Sequence, residues 1–130
     1  MSRKVIGSDK PWVKDIAFSL GVVADGPLLF TAGITARDPE GKVVGAGDMR
    51  AQIEQCFKNI AAALAQAGSS LADVVRVHYL ITRKKDFEPI WPVLQKYFGD
   101  VRPACTVIVA GLLDEKMLIE IEVTALKAAD

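Results

Sequence analysis

The chain has 130 residues, 51% hydrophobic and 25% charged, with sixteen Lys and Arg against sixteen Asp and Glu. A chain this long buries roughly two thirds of its unfolded surface, which predicts one domain over 1–130 with a real core and little room for a private cavity. The balanced charge, a pI near 6.6 and no basic run longer than Arg83-Lys84-Lys85 exclude a partner that tracks phosphates, so no nucleic acid is expected.

Residues 2–14 are polar and broken by Pro11, which predicts a loop or loose arm pinned by Trp12. The N-terminus lacks the apolar stretch of a signal peptide, and no apolar run approaches membrane-spanning length. The expectation is therefore a cytoplasmic protein with no membrane partner. Residues 16–22 alternate in polarity as a first strand, Asp25-Gly26 signals a two-residue hairpin, and residues 28–34 return as a second strand. Gly33 interrupts that strand and predicts a bulge or a close approach by another group. After a turn at 37–41, Val43-Val44 reads as a short third strand.

Asp48 is a good N-cap. Ile53, Cys56, Phe57, Ile60 and Leu64 then recur at helical spacing up to a stop at Gly68. Gly45-Ala46-Gly47 ahead of the helix reads as a plain turn. Residues 74–82 are rich in β-branched and aromatic types and form the next strand. A second helix ends at Phe98-Gly99. Because Pro92 cannot sit unperturbed in mid-helix, either this helix kinks or residues 86–91 form a separate turn and Pro92 opens a shorter helix.

Pro103 leads into residues 106–111, a strand apolar on both faces that must be covered twice. From 118 to 125, Leu118, Glu120, Glu122 and Thr124 alternate with Ile119, Ile121, Val123 and Ala125, which is a half-buried strand. The order β-β-(β)-α-β-α-β-β predicts an α+β fold, a mixed six-stranded sheet with two helices on one face. On the other face Leu80, Ile108 and Ala110 would be exposed in a lone domain, which predicts burial against copies of the same chain.

At this point the sequence resembles a known family. A Pro-Ala-x-[Ser/Thr] turn paired with an Ile-Glu-Ile-Glu strand, after an Asp-Phe…Tyr-Phe helix, is similar to the Rid (reactive intermediate deaminase, or YjgF) family. Thr31-Ala32-Gly33 and Asp48…Gln52…Asn59…Leu64…Ala67-Gly68 extend the similarity over nearly the whole chain. The resemblance implies a chorismate-mutase-like fold in a barrel-like homotrimer with a small pocket in each cleft between subunits. It also implies hydrolysis of reactive enamines or imines without a cofactor or metal.

Glu120 points away from the helices, where partial desolvation would suit a carboxylate to proton transfer. The pattern alone favours an ordinary strand residue. The resemblance makes Glu120 the catalytic acid and base and leaves Glu122 structural. The main departure is Cys105, which stands where deaminases of 2-aminoacrylate carry an arginine that grips the substrate carboxylate. Either the substrate lacks that carboxylate, Arg102 or Arg37 replaces the arginine, or this activity is lost. Cys105 as a nucleophile would need a cationic neighbour, and a buried structural thiol is the plainer reading.

Trp91 stands for a family asparagine, and Phe18 or Ser19 for a family tyrosine, so Phe18, Trp91 and Leu112 would make the pocket more apolar. Gly33 and the backbone at Cys105 remain suited to orient a substrate. Cys56 and Cys105 read as free thiols. His78, the only histidine, reads as a packed or interface residue, with no metal site around it. The expected partners are a small-molecule substrate and other copies of the chain. The alternatives are a non-catalytic ligand-binding or regulatory trimer and, against the charge balance, a ribonuclease.

Overall fold

The computed structural model describes residues 2–128. Six strands are present, β1 (Ser2–Ile6), β2 (Gly21–Asp25), β3 (Leu28–Phe30), β4 (Val74–Ile81), β5 (Ala104–Val109) and β6 (Ile119–Leu126). Three helices accompany them, α1 (Pro11–Asp15), α2 (Met49–Ala65) and α3 (Trp91–Phe98). The fold is mixed α+β, as expected, but its strands are hydrogen-bonded as two sheets instead of one. β1 and β2 form an antiparallel pair, and the main sheet runs β3-β6-β4-β5. In that sheet β4 is parallel to β5 and antiparallel to β6. A single parallel bridge, Ser19 to Ala104, links the two sheets.

The N-terminal third departs most from expectation. The predicted loose arm is β1 followed by α1, and the strand placed at 16–22 begins only at Gly21. Pro11 opens the five-residue helix at a position where its missing N–H costs nothing. Arg3 anchors β1 by donating to the carbonyls of Ala72, Val74 and Val101. Asp25-Gly26 does not close a hairpin, since β2 pairs with β1 and β3 pairs with β6. Pro27 explains the difference, because it would open the return strand where a ladder donor is required. Val43 contributes one bridge, to Arg37, and not a strand.

The rest follows the sequence closely. The Asp48 side chain accepts from the Ala51 N–H at 3.0 Å and caps α2. Gly68, at φ +70°, turns the chain away beyond the helix end. The two prolines resolve into a 3₁₀ turn over Glu88–Ile90 and a short α3 with Pro92 in its first turn. The core lies between the two longer helices and one face of the main sheet. Ile53, Phe57, Ile60 and Leu64 of α2 meet Val77, Tyr79 and Ile81 of β4 and the odd-numbered residues of β6. Phe57 stacks on Tyr97 and meets Phe98 edge-on.

The other face is bare. β5 is an edge strand whose second half the helices do not cover on either side, and Val107, Ile108 and Val109 remain 36%, 49% and 54% exposed. Phe30 is 72% exposed on the opposite edge strand.

One buried polar side chain fastens loops to this frame. Gln52 is fully buried. Its amide donates to the carbonyls of Gly45 at 3.1 Å and Lys116 at 2.7 Å, and its carbonyl accepts from the Leu118 N–H at 2.7 Å. Replacing Gln52 with Leu strands one buried and two part-buried backbone groups, so unfolding in urea should show a loss of roughly 2 to 4 kcal/mol. A loss below about 1 kcal/mol would mean that these groups find other partners.

Candidate functional site

Thr31 and Ile34 extend β3 along β6. The Thr31 N–H donates to the Val123 carbonyl, and Ile34 exchanges both backbone bonds with Ile121. Three residues advance on one side while two advance on the other, so the segment holds one extra residue, which is a bulge. Gly33 lies in it. A Cβ at Gly33 would stand 2.3 Å from Oε2 of Glu120 and 2.7 Å from its carboxyl carbon. Both sequence signals are therefore one feature: with no Cβ at Gly33, the Glu120 side chain takes the space beside its Cα.

The two glutamates of β6 differ in how they are engaged. Glu122 is bound to His78, with Oε1 2.6 Å from Nδ1. Glu120 makes no hydrogen bond or ion pair among the described residues. It is half-buried on the face away from the helices. Its charge is felt by Cys56, whose thiol is pushed up to about 12, first by burial and then by the Glu120 carboxylate.

The remaining expected site residues fall elsewhere. Cys105 pairs in register with Val77 and packs against the core, whereas Glu120 pairs with Leu80 on the opposite face. Two strand spacings and three residues along the strand separate them by roughly 14 Å. Phe18 does lie near Cys105: its carbonyl accepts from Nε of Arg102 at 3.1 Å, and Ser19 bridges to Ala104. Its ring lies 5.8 Å from Trp12.

Arg102 sits at φ +57° and also donates to the Ser8 carbonyl at 2.7 Å. Its guanidinium holds backbone together. Arg37 likewise donates to the Gly41 carbonyl. Trp91, on α3, meets Phe87 edge-on at 6.3 Å and lines a recess with Asp15, Glu88, Pro92 and Gln95. In a single chain, then, Gly33 and Glu120 form one group of the expected site residues and Phe18, Arg102 and Cys105 another. Trp91 belongs to neither.

A third polar group was only partly visible in the sequence. On the bare face Nε of Arg76 donates to Nε2 of His78 at 2.9 Å, and Nδ1 of His78 meets Glu122. Since Nε2 must accept, the ring is neutral and its proton lies on Nδ1, donated to the carboxylate. The available signal was the pair of i, i+2 spacings, Arg76-x-His78 and Glu120-x-Glu122, which puts charged groups on one face of two otherwise apolar strands.

These features agree with comparisons to known proteins. The family model described as Endoribonuclease L-PSP matches residues 14–127. A structure from Yersinia pestis, described as a protein of unknown function of the conserved Rid protein family, superposes with a TM-score of 0.84 at 32% identity, covering 97% of this chain and 99% of that one. The chain belongs to this family, the Rid or YjgF proteins. A RutC family protein of Pyrococcus abyssi is 34% identical over 127 residues, covering 98% of this chain and 99% of its own. The 3-aminoacrylate deaminase RutC of Acinetobacter baylyi is 34% identical over 94 residues, covering 72% and 75%.

The state of Cys105 bears on its chemistry. Burial pushes its thiol up to about 12, and no cation lowers it. The thiol is therefore protonated at neutral pH and a poor nucleophile. The unfolded chain releases the proton first, at the ordinary value of 9.0, so it binds fewer protons than the folded chain above that pH. Stability should fall as pH rises from about 9 toward about 12, and less steeply in Cys105→Ala. Iodoacetamide at neutral pH should leave Cys105 unmodified until the protein is denatured. Rapid labelling of the folded chain would contradict this.

Proposed function

We propose that this protein hydrolyses a reactive imine, or the enamine in equilibrium with it, to a carbonyl compound and ammonia. The observation that carries the reading is the unengaged Glu120 carboxylate, held beside Gly33 on a face that nothing in the same chain covers. The similarity to a 3-aminoacrylate deaminase supports the same class of reaction. In the proposed cycle Glu120 takes a proton from water as the oxygen attacks the C=N carbon, giving a carbinolamine. It returns that proton to nitrogen, then takes the carbinolamine hydroxyl proton and passes it to nitrogen too, so that the C=O bond forms as the C–N bond breaks and ammonia leaves. Water and imine become carbonyl compound and ammonia, with no redox step.

We further propose that the working cleft lies between copies of the chain. The bare apolar face calls for a cover, and a second copy would bring its Cys105 half-site to the Glu120 half-site of the first. Cys105 in place of a carboxylate-gripping arginine favours a substrate recognised through apolar contacts. It is also the observation that favours a second reading, binding without turnover. The Endoribonuclease description of the family model finds little support in a chain with equal numbers of acidic and basic residues.

The test is ammonia release from imines made in situ by an amino-acid oxidase acting on small, aliphatic and aromatic amino acids. Glu120→Gln should slow the accelerated reaction by about 100-fold or more. Gly33→Ala should slow it too while leaving the fold intact, since the flexible Glu120 side chain can swing away from the new Cβ. Hydrolysis unchanged in Glu120→Gln would sink the mechanism. Tight binding of a small acid without turnover would establish the second reading.

A further inference from the structure

Beside Phe18 the strands part. β2 and β5 share one bridge, Ser19 to Ala104, after which β2 pairs with β1 and β5 runs on as a free edge. Phe18 and Cys105, each next to a bridge partner, stand where this notch begins.

Two left-handed residues shape the same point. Ala17, at φ +57°, turns the chain into Phe18, and Arg102, also at +57°, brings its Nε to the Phe18 carbonyl. Among the described residues they are the only ones other than glycine with positive φ. Neither is of the Asn, Asp or His types that adopt this conformation most readily. Strain of this kind persists where the surroundings hold it, and it gathers at binding and active sites.

α1 is fastened here in three ways. Arg102 donates to the Ser8 carbonyl ahead of it, the Gln95 amide donates to the Lys14 carbonyl near its end, and Val13 is fully buried. With the helix already pinned, Trp12 is not needed as an anchor, and it is not used as one. Its side chain is left 54% exposed, with the ring 5.8 Å from that of Phe18 and tilted by 58°. A helix held this firmly presents an indole to solvent at the mouth of the notch, beside Phe18.

We propose that Trp12 and Phe18 form an aromatic wall that selects imines or enamines bearing an aromatic side chain. The inference rests on the deaminase reading and deepens it: Glu120 of a neighbouring copy carries the proton transfers, and Trp12 sets which substrate is held for them. Aromatic rings pair at centroid distances of about 4.5 to 7 Å in offset or edge-on arrangements, so a third ring can join the tilted pair. A substrate with only a methyl group would leave the indole in water.

The test compares kcat/KM for imines made in situ from phenylalanine and from alanine, using the full chain, Trp12→Ala and Trp12→Phe. The unaltered protein should prefer the phenylalanine-derived imine. Trp12→Ala should shrink that preference by about tenfold, and Trp12→Phe should restore most of it. Light scattering should give all three the same mass, and circular dichroism the same fold. If Trp12→Ala does not fold, Trp12→Gln takes its place. An unchanged preference overturns the proposal, and so does a lower mass, which would make Trp12 part of the contact between copies. If the unaltered protein turns over neither imine, the deaminase reading fails by itself, and calorimetric titration with phenylpyruvate and pyruvate decides the wall. A preference for phenylpyruvate that is lost in Trp12→Ala upholds it; equal affinity, or no binding, overturns it.

Discussion

The alternation of β6 sorts the whole molecule. Its residues Ile119, Ile121, Val123 and Ala125 are buried and take the helices on one side. Glu120, Glu122 and Thr124 face the other way, onto the bare face, where Glu122 meets His78 of β4. Because β6 is paired on both edges, with β3 and with β4, its register is fixed from two sides. A slip of one residue would bury two carboxylates and expose the core row, which no other part of the chain could offset.

Within that frame Gly33 and Glu120 are fitted to each other. The bulge brings the backbone of Gly33 against the Glu120 side chain, where a Cβ would displace the carboxylate. Glu122, two residues on, is committed to His78, while Glu120 is committed to nothing. One strand therefore carries one carboxylate that is paired and one that is unpaired among the described residues.

How much of this was legible depends on the range of the interactions. α2 was, because a cap and an apolar stripe are local: Asp48 and the series Ile53, Cys56, Phe57, Ile60, Leu64 lie within one helix. β4 and β6 were legible for the same reason. β1 was not, since Ser-Arg-Lys-Val-Ile is polar enough to read as a tail, and its partner lies about twenty residues on. α1 buries only Val13, too little to show a period. The false hairpin came from weighing Asp25-Gly26 without Pro27. In the site, Gly33 and Glu120 each carried a signal, but only the structure joined them. Cys105 was grouped with Glu120 through resemblance, and the register places the two on opposite faces. Arg102 looked free, and its left-handed backbone turns it onto the carbonyls of Phe18 and Ser8.

That separation of Cys105 from Glu120 is the feature the proposed account must overcome. The most direct measurement is a crystal structure of the protein in its solution assembly, with its mass established by light scattering. The account predicts closed oligomers in which Glu120 of one copy and Cys105 of the next face each other across one small cleft. A monomer in solution, or an assembly that seals Glu120 against an apolar wall, would contradict it.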